Sequence, residues 1–540
     1  MDDEVYKQSE IRAVVLGSDK SLKESVINTI LGKNVEFDRF FVDSVSRQGD
    51  VNGRKIILIN TPSWWQVFGV QDSPEVLKNE LVCSVFLCPP GPQVFLPVID
   101  LSSSFSDEDR ISFEDHMSLF GESIWSHTLL IFTQTSSQKL KCVEEQGDDV
   151  QQILQKCGGR YHVLDITNIE DGVQELLMKM DGVVAANNNM YFDPCQDQLI
   201  EIQRKRNNNK TKSEARKRMM EDKTTDLRKT RSSEERVVVL LGWIVSGKTS
   251  VGNMIFNDDI FKMGKTKTCT SHSGDVDDRK ITVMDTPGCW KYVSSKFNPG
   301  FVRTAILECI KQSECSGYPH AMVLVIPADT AFKEEQKRVV EEYMAIFGQD
   351  VWRHTIVLFT WGDRFPDIEL HIESEGEALQ WLIDKCWNRY HVFDNSNREN
   401  GHQVKQLLQK IDEMVEENCS FRLDAGRASV TQPYNDLVLK LLREEFKGRL
   451  SRMKRKMGKT EPEALDAESN NSMKTPLMFS DDENLTELIK LIKREVSRWE
   501  VIEMDEFLNM SQNSDTLCDD KVLGWLHRCE EYSSGYETSS

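Results

Sequence analysis

The feature that most constrains this chain is a glycine-bounded loop that follows an apolar run and leads into a segment of helical character. The loop reads Gly242-Trp243-Ile244-Val245-Ser246-Gly247-Lys248-Thr249 and follows the apolar residues 237–241. It matches the phosphate-loop pattern G-x-x-x-x-G-K-[ST] at every fixed position. Because such a loop joins a strand to a helix in an α/β sheet, the match predicts an α/β domain with a nucleotide site.

Each fixed position of the loop has a physical role in holding phosphate. Gly242 and Gly247 let the backbone turn tightly, so that its N–H groups can point at phosphate oxygens. Lys248 is placed to reach the β- and γ-phosphates, and Thr249 to hold Mg²⁺ through its hydroxyl, which makes these two the catalytic candidates. The helix that follows presents its positive end to the same anion. The predicted nucleotide-binding residues of this loop are Gly242, Ser246, Gly247, Lys248, Thr249 and Ser250.

An earlier part of the chain repeats this domain. The apolar run that ends at Gly17 resembles the one that ends at Gly242, and further matches follow in the same order at a nearly constant offset. They pair residues 25–28 with 250–253, 60–62 with 285–287, 125–133 with 352–360, and 160–163 with 389–392. Collinear matches of this kind indicate a duplicated domain.

The earlier copy lacks several features that phosphate binding requires. Its loop, residues 17–24, reads Gly-Ser-Asp-Lys-Ser-Leu-Lys-Glu. Leu22 brings a Cβ where backbone must approach phosphate, and Glu24 brings a carboxylate where a hydroxyl is to meet Mg²⁺. Asn60 replaces the aspartate of the later copy, and Pro97 is expected to interrupt a strand. The sequence predicts a scaffold that binds no Mg-nucleotide.

Apolar runs alternate with helical stretches, which predicts an α/β fold. We expect two P-loop GTPase-like domains, each a mostly parallel sheet with helices on both faces, at residues 9–195 and 235–425. Residues 196–234 form a basic linker, either flexible or a solvated helix. An amphipathic basic helix is predicted over 426–460. The remainder, 461–540, is predicted to be an acidic, partly disordered tail that contains two short helical runs, Leu485–Ile502 and Val522–Cys529.

Composition limits the classes of function. The net charge is −21 over 540 residues, and residues 461–540 contain nineteen Asp/Glu against seven Lys/Arg. This balance argues against nucleic-acid binding. The thirteen cysteines form no C-x-x-C pair, which predicts neither a zinc site nor a disulfide framework and favours a reducing compartment. Without a long apolar run or a basic leader, the expected location is the cytoplasm.

Further residues of the later copy complete a magnesium site. Asp285 and Gly288 belong to an Asp-Thr-Pro-Gly segment at a strand end. There the carboxylate can hold the Mg²⁺ shell and the glycine N–H can sense a γ-phosphate. Thr266 and Thr268 are alternative candidates for a switch threonine on Mg²⁺, and each is equally compatible with an ordinary loop residue.

Two loops of the later copy predict a base site. Asp363 ends the segment Thr-Trp-Gly-Asp, where many GTPases carry N-K-x-D, although Asn and Lys are absent here. Its carboxylate is predicted to accept hydrogen bonds from guanine N1 and N2, which favours GTP over ATP. Trp361 either stacks on the base or is an ordinary surface tryptophan. Asn395 is the candidate contact in the last base-facing loop.

Taken together, these residues resemble the AIG-type G domain of the GTPases of immunity-associated proteins, the IMAP family. The resemblance covers the later copy closely and the earlier copy in eroded form, and it rests on residues 247–253, 266–269, 285–288, 354–360 and 389–395. It implies binding of GTP or GDP with Mg²⁺ and slow hydrolysis. It also implies nucleotide-dependent self-association through the switch face, often with peripheral contact to intracellular membranes.

The chain departs from the family at positions that bear on hydrolysis. Bulky residues replace the small ones usual within the phosphate loop, and residues 327–332 lack the arginine that some members offer to a partner's active site. No glutamine follows Gly288 to orient a water. The sequence therefore leaves open whether the chain is an enzyme. It is either a slowly hydrolysing GTP switch or a non-hydrolysing scaffold that acts through protein–protein assembly, and an ATPase is disfavoured by Asp363.

Overall fold

Two six-stranded sheets, one in each half of the chain, organise the protein. The computed structural model describes residues 9–33, 42–65, 68–100, 105–134, 147–166, 172–194, 196–226, 235–262, 269–292, 306–307, 319–395, 397–398, 400–418, 445 and 488–497. The predicted α/β fold with two mostly parallel sheets is confirmed. The predicted basic helix at 426–460, apart from residue 445, and most of the acidic tail lie outside the described residues.

The first sheet has the strand order β2-β3-β1-β4-β5-β6. Its neighbours are parallel except for the β2–β3 hairpin. The strands are β1 Glu10–Leu16, β2 Val45–Val51, β3 Arg54–Asn60, β4 Val94–Asp100, β5 Leu130–Gln134 and β6 Tyr161–Asp165. The helices are α1 Lys20–Leu31, α2 Glu75–Cys83, α3 Asp107–Met117, α4 Asp148–Lys156 and α5 Val173–Ala186. Successive residues of β1, such as Ala13 and Val14, join core clusters on opposite faces of the sheet, because side chains alternate along a strand.

The expectation that Pro97 interrupts a strand is wrong. Pro97 lies within β4, in the centre of the sheet. It pairs with Leu16 of β1, and on its other side it lies between the isolated Phe95–Thr128 bridge and the β5 ladder, which begins at Val98. The proline therefore stands at a break in the pairing on that side, where the loss of one N–H is tolerated.

A long helix, α6 Gln196–Asp226, connects the two halves. It occupies most of the predicted linker, so of the two alternatives the helical one describes residues 196–226. One side packs on the second half, where Arg216 Nε lies 2.7 Å from Glu373 Oε1 and Lys217 Nζ lies 2.7 Å from Asp367 Oδ2. Within the described ranges, no helix has the length and apolarity needed to cross a membrane.

The second sheet repeats the first, with the order β12-β11-β10-β7-β9-β8. Its strands are β7 Arg236–Gly242, β8 Thr270–Val276, β9 Arg279–Asp285, β10 Ala321–Pro327, β11 Thr355–Thr360 and β12 Tyr390–Val392. Its helices are α7 Lys248–Phe256, α8 Glu334–Met344, α9 Ile368–Glu375, α10 Glu377–Lys385 and α11 Gly401–Asn418. Every residue of β7 and β10 is buried, as expected for central parallel strands covered on both faces.

A buried ion pair recurs at the same place in both copies and ties the last helix to the sheet. In the first copy, Arg54 forms a bidentate pair with Asp181, with contacts of 2.9 and 2.6 Å. In the second copy, Asp412 receives two arginines, Arg236 at 2.9 Å and Arg279 at 2.8 Å. The shared pairing supports duplication, and the extra arginine is a difference between the copies.

The two copies are joined by a second ionic junction. Lys333, after β10, lies 2.8 Å from Glu75 of α2 and 3.1 Å from Glu375 of α9. Glu375 also accepts the backbone N–H groups of Glu75 and Phe332, both at 2.9 Å. Burial raises the pKa of Glu375, whereas for Lys333 the two carboxylates outweigh burial and raise its pKa. The first copy thus packs against the loop that follows a central strand of the second.

Candidate nucleotide-binding site

The phosphate loop of the second copy joins β7 to α7 and has the backbone shape of an anion cradle. Gly242 ends β7, Val245 has φ 57°, and Gly247 has φ 91°. A Cβ at Gly247 would lie 3.0 Å from Thr360 Cγ2, in a conformation that side chains disfavour, so the position requires glycine. Such turns point successive N–H groups toward one side of the loop.

Three polar side chains meet at the end of the loop. Thr249 Oγ1 donates to Asp285 Oδ2 at 2.8 Å, and Lys248 Nζ donates to the Trp243 carbonyl at 2.8 Å. Burial raises the pKa of Asp285, while Lys248 and the Thr249 hydroxyl act in the opposite direction. The sequence placed a lysine, a hydroxyl and a metal-side carboxylate together here, and the structure brings them together.

The site contains buried polar atoms that suit a phosphate and a divalent cation. Ser246 Oγ and Asp285 Oδ1 are both buried and meet no hydrogen-bond partner among the described residues. Buried polar atoms are usually paired, so these two are suited to a ligand. A carboxylate oxygen beside a threonine hydroxyl matches the hard oxygen donors that Mg²⁺ prefers. The donor set therefore fits a Mg-nucleotide, with Lys248 and the loop N–H groups on the phosphates.

The Asp-Thr-Pro-Gly segment lies directly against the loop. Cys289 pairs with Trp243 in an isolated parallel bridge, in which Ile244 donates to the Cys289 carbonyl at 2.7 Å and Cys289 donates to the Gly242 carbonyl at 3.1 Å. A Cβ at Gly288 would lie 2.4 Å from the Ile244 nitrogen, so only glycine permits this approach. The phosphate loop and the segment that follows Gly288 are therefore in direct backbone contact.

The predicted base-facing loops meet at the edge of the same sheet. Trp361, with φ 57°, donates its backbone N–H to Asn395 Oδ1 at 3.0 Å. Asp363 belongs to the 3-10 turn Gly362–Arg364, and its side chain lies outside the described residues. Asn395 therefore braces the turn that carries Asp363.

The remaining predicted residues are less fully described. Ser250 lies in the first turn of α7, beside Thr249. The alternative switch threonines, Thr266 and Thr268, lie outside the described residues. Cys269, which follows them, is disulfide-bonded. The cysteine spacing did not predict this bond.

The corresponding loop of the first copy has a different shape. Helix α1 begins at Lys20, three positions before Lys23, the counterpart of Lys248, and the carboxylate of Asp19 caps it by accepting the Leu22 N–H at 3.0 Å. Lys23 is buried and donates to the Thr61 carbonyl at 2.5 Å. The adjoining cavity, of about 70 Å³, is well below the usual size of a ligand pocket. Helix and side chains thus fill the space of a phosphate cradle.

The helical run predicted at Leu485–Ile502 is a helix over its described residues, 488–497. This helix covers part of the second copy's site, a contact that was not predicted. Its Leu491, Ile492 and Val496 pack on Trp290 and Tyr292, with Ile244 and Val245 of the phosphate loop at the edge of this cluster. No local sequence signal points to this contact, because its partners are about two hundred residues apart.

Polar contacts also hold this helix in place. The Glu495 carboxylate accepts the backbone N–H groups of Lys291 at 2.8 Å and Tyr292 at 2.9 Å. Arg494 lies 2.8 Å from Asp72 of the first copy, and the Tyr292 hydroxyl donates to the same carboxylate at 2.9 Å. The segment after Gly288 is therefore held between the tail and the first copy.

Comparisons with known proteins agree with the duplication. The AIG1 family profile matches residues 11–214 and 236–431. GTPase IMAP family member 8 of Homo sapiens is 26% identical over 460 residues, which cover 78% of this chain and 65% of that protein. Its Mus musculus namesake is 27% identical over 434 residues, covering 76% and 55%. This chain thus spans less than two thirds of either relative.

Other matches cover a smaller share of the chain. Immune-associated nucleotide-binding protein 9 of Arabidopsis thaliana is 28% identical over 283 residues, covering 48% of this chain and 75% of that protein. Among solved structures, Toc33 from Arabidopsis thaliana in complex with GDP and Mg²⁺ is 17% identical with a TM-score of 0.27, covering 39% of this chain and 96% of Toc33.

Proposed function

Because this chain belongs to the AIG1 family, we propose that it is a guanine-nucleotide-binding switch of the IMAP type. The second copy binds GTP or GDP with Mg²⁺, and the first copy binds neither. The observation that carries the proposal is the glycine-bounded cradle, which closes on Lys248, Thr249 and a buried Asp285 oxygen available to a ligand.

The residues of the second copy divide the work of binding. Loop N–H groups and Lys248 hold the phosphates and neutralise charge that develops during transfer. Thr249 and Asp285 hold the cation, and Asp363 selects guanine. Hydrolysis is slow, because the residues after Gly288 are Cys289 and Trp290, neither of which orients a water as glutamine does.

The segment after Gly288 forms the switch face of the second copy. Its contact with the phosphate loop links it to the nucleotide. Through this face the chain associates with another molecule of the same chain when GTP is bound. Tyr292, on this segment, is buried against Asp72 and the helix at 488–497, so self-association requires that these contacts open. The working location is the cytoplasm, with peripheral contact to intracellular membranes.

Calorimetric titration of the full chain with GTPγS and with ATPγS, each with Mg²⁺, tests the proposal. We expect binding of the guanine analogue alone, and its loss in Lys248→Ala. Phosphate release from GTP, slow in the wild type and absent in the variant, would establish turnover. Equal binding of both analogues, or of neither, contradicts the proposal.

A second candidate is a scaffold that binds GTP without turnover and acts through assembly. The missing glutamine and the burial of Tyr292 favour it. Single-turnover measurement with GTP distinguishes the two functions, since the scaffold retains intact GTP after prolonged incubation whereas the switch accumulates GDP.

A further inference from the structure

We propose that the eroded first copy positions the guanine-recognition turn of the second copy through Trp65. The inference rests on the proposed function, since it assigns a positioning residue to that nucleotide site. The turn in question is Gly362–Arg364, which carries Asp363.

The contact runs through one guanidinium. Arg364 Cζ lies 5.5 Å from the ring centroid of Trp65 and 4.7 Å from that of Trp361. Arg364 Nη1 also donates to Asp329 Oδ2 at 2.8 Å, which fixes the group at the end of β10. The cation therefore contacts two aromatic rings, one from each copy, and attraction to ring faces favours this arrangement.

The turn is tied to the base loops on its other side. Trp361 donates to Asn395 Oδ1 at 3.0 Å, and the Gly362 N–H donates to the Phe393 carbonyl at 3.2 Å. Trp65 thus contacts Arg364, which directly follows Asp363 in the same three-residue turn. Hydrogen bonds to guanine N1 and N2 are directional, so they depend on how well this turn is ordered before the base binds.

Contacts within the first copy hold the backbone of Trp65 and the ring of its neighbour Trp64. Ser112 Oγ of α3 donates to the carbonyls of Trp65 at 3.3 Å and Phe68 at 2.7 Å. The neighbouring Trp64 stacks on His116, with ring centroids 4.6 Å apart. This segment follows Asn60 and is the counterpart of the switch segment in the second copy. With no nucleotide to respond to, it acts as a fixed support.

The test compares three variants of the full chain. Trp65→Ala removes the ring, Trp65→Phe keeps a smaller one, and Trp125→Ala is the matched control. The Trp125 ring contacts Phe113 and Lys156, both in the first copy. Affinities for GDP and for inosine diphosphate, which lacks the 2-amino group, report base recognition. Hydrogen exchange at residues 360–365 without nucleotide reports order in the turn.

We expect Trp65→Ala to weaken GDP binding by about 5- to 30-fold and inosine diphosphate binding by less, with faster exchange in the turn. Trp65→Phe should recover most of the wild-type preference for GDP over inosine diphosphate, and Trp125→Ala should retain all of that preference. Unchanged preference and unchanged exchange in Trp65→Ala overturn the inference while the proposed function stands. Absence of guanine-nucleotide binding in the wild type defeats the proposed function and, with it, the recognition role of Trp65.

The exchange data remain informative in that case, because they decide independently whether Trp65 orders the turn. A melting curve identifies a variant that fails to fold. If Trp65→Ala does fail, Trp65→Phe provides the comparison. A preference between the two diphosphates equal to that of the wild type, together with wild-type exchange, would then count against the inference.

Discussion

The two copies share one sheet topology, yet their helices begin at different places relative to the same lysine. In the second copy α7 begins at Lys248 itself, after a loop with positive φ at Val245 and Gly247. In the first copy α1 begins at Lys20, three residues before Lys23. The first three residues of α1 replace the loop, and Asp19 supplies the negative charge at the helix end that a phosphate would supply. A nucleotide site can therefore be lost by local winding of a helix while the fold is retained.

The largest effect is expected when the second loop is made to resemble the first. Gly247→Leu gives the second loop the leucine that stands at the corresponding position, Leu22, of the first. The new side chain would lie against Thr360, on a backbone with φ 91°. The loop must then rearrange, and we expect GTPγS binding to fall below detection in a calorimetric titration. Leu22→Gly is the matched variant and should gain no binding, because Asp19 and Glu24 remain. GTPγS binding by Leu22→Gly in a Lys248→Ala background would show that the glycine alone separates the copies.

The buried arginine pairs give the next contrast. Asp412→Ala removes the carboxylate shared by Arg236 and Arg279, and we expect it to destabilise the second copy by about 3–5 kcal/mol. Asp181→Ala affects only the pair with Arg54 and should cost less. Urea unfolding, followed by hydrogen exchange in each copy, measures both. Equal losses of unfolding free energy in the two variants would mean that the second arginine at Asp412 does not increase the destabilisation.

Asp285→Asn tests the proposed cation site, because it gives the second copy the asparagine that the first copy has at the corresponding position, Asn60. Asp285 holds the Thr249 hydroxyl at 2.8 Å, so its loss should weaken Mg²⁺-dependent GTPγS binding by about 10- to 100-fold. Binding in EDTA should change much less. Asn60→Asp in the first copy is the control and should leave both affinities unaltered; an equal loss with and without Mg²⁺ would argue against a role at the cation.

The smallest effect concerns the retained lysine of the first copy. Burial lowers the pKa of Lys23 from 10.5 to about 7. Between these values the unfolded chain binds more protons than the folded one, so Lys23 makes stability increase as pH rises from 7 to 10.5. Lys23→Met should remove this contribution and raise the melting temperature at pH 7. A wild-type-minus-variant difference that does not vary with pH would show that Lys23 stays charged when buried.

Local patterns in the sequence predict much of the fold and the centre of the site. The loop, the duplication and the strand ends follow from short-range spacing, and Lys248, Thr249 and Asp285 meet as that spacing indicates. Winding of α1 through the first loop was not foreseen, although Asp19 is a typical helix N-cap. The contacts of Trp65 and of residues 488–497 join segments hundreds of residues apart, and no periodicity or motif encodes such pairings.

The most direct test of the account is the number of guanine nucleotides that one chain binds. Titration of the full chain with GTPγS and Mg²⁺ should give one site per chain, which disappears in Lys248→Met and persists unchanged in Lys23→Met. Two sites per chain would contradict the account, as would binding that survives Lys248→Met but is lost in Lys23→Met, because either result would place a nucleotide in the copy whose loop has become helix.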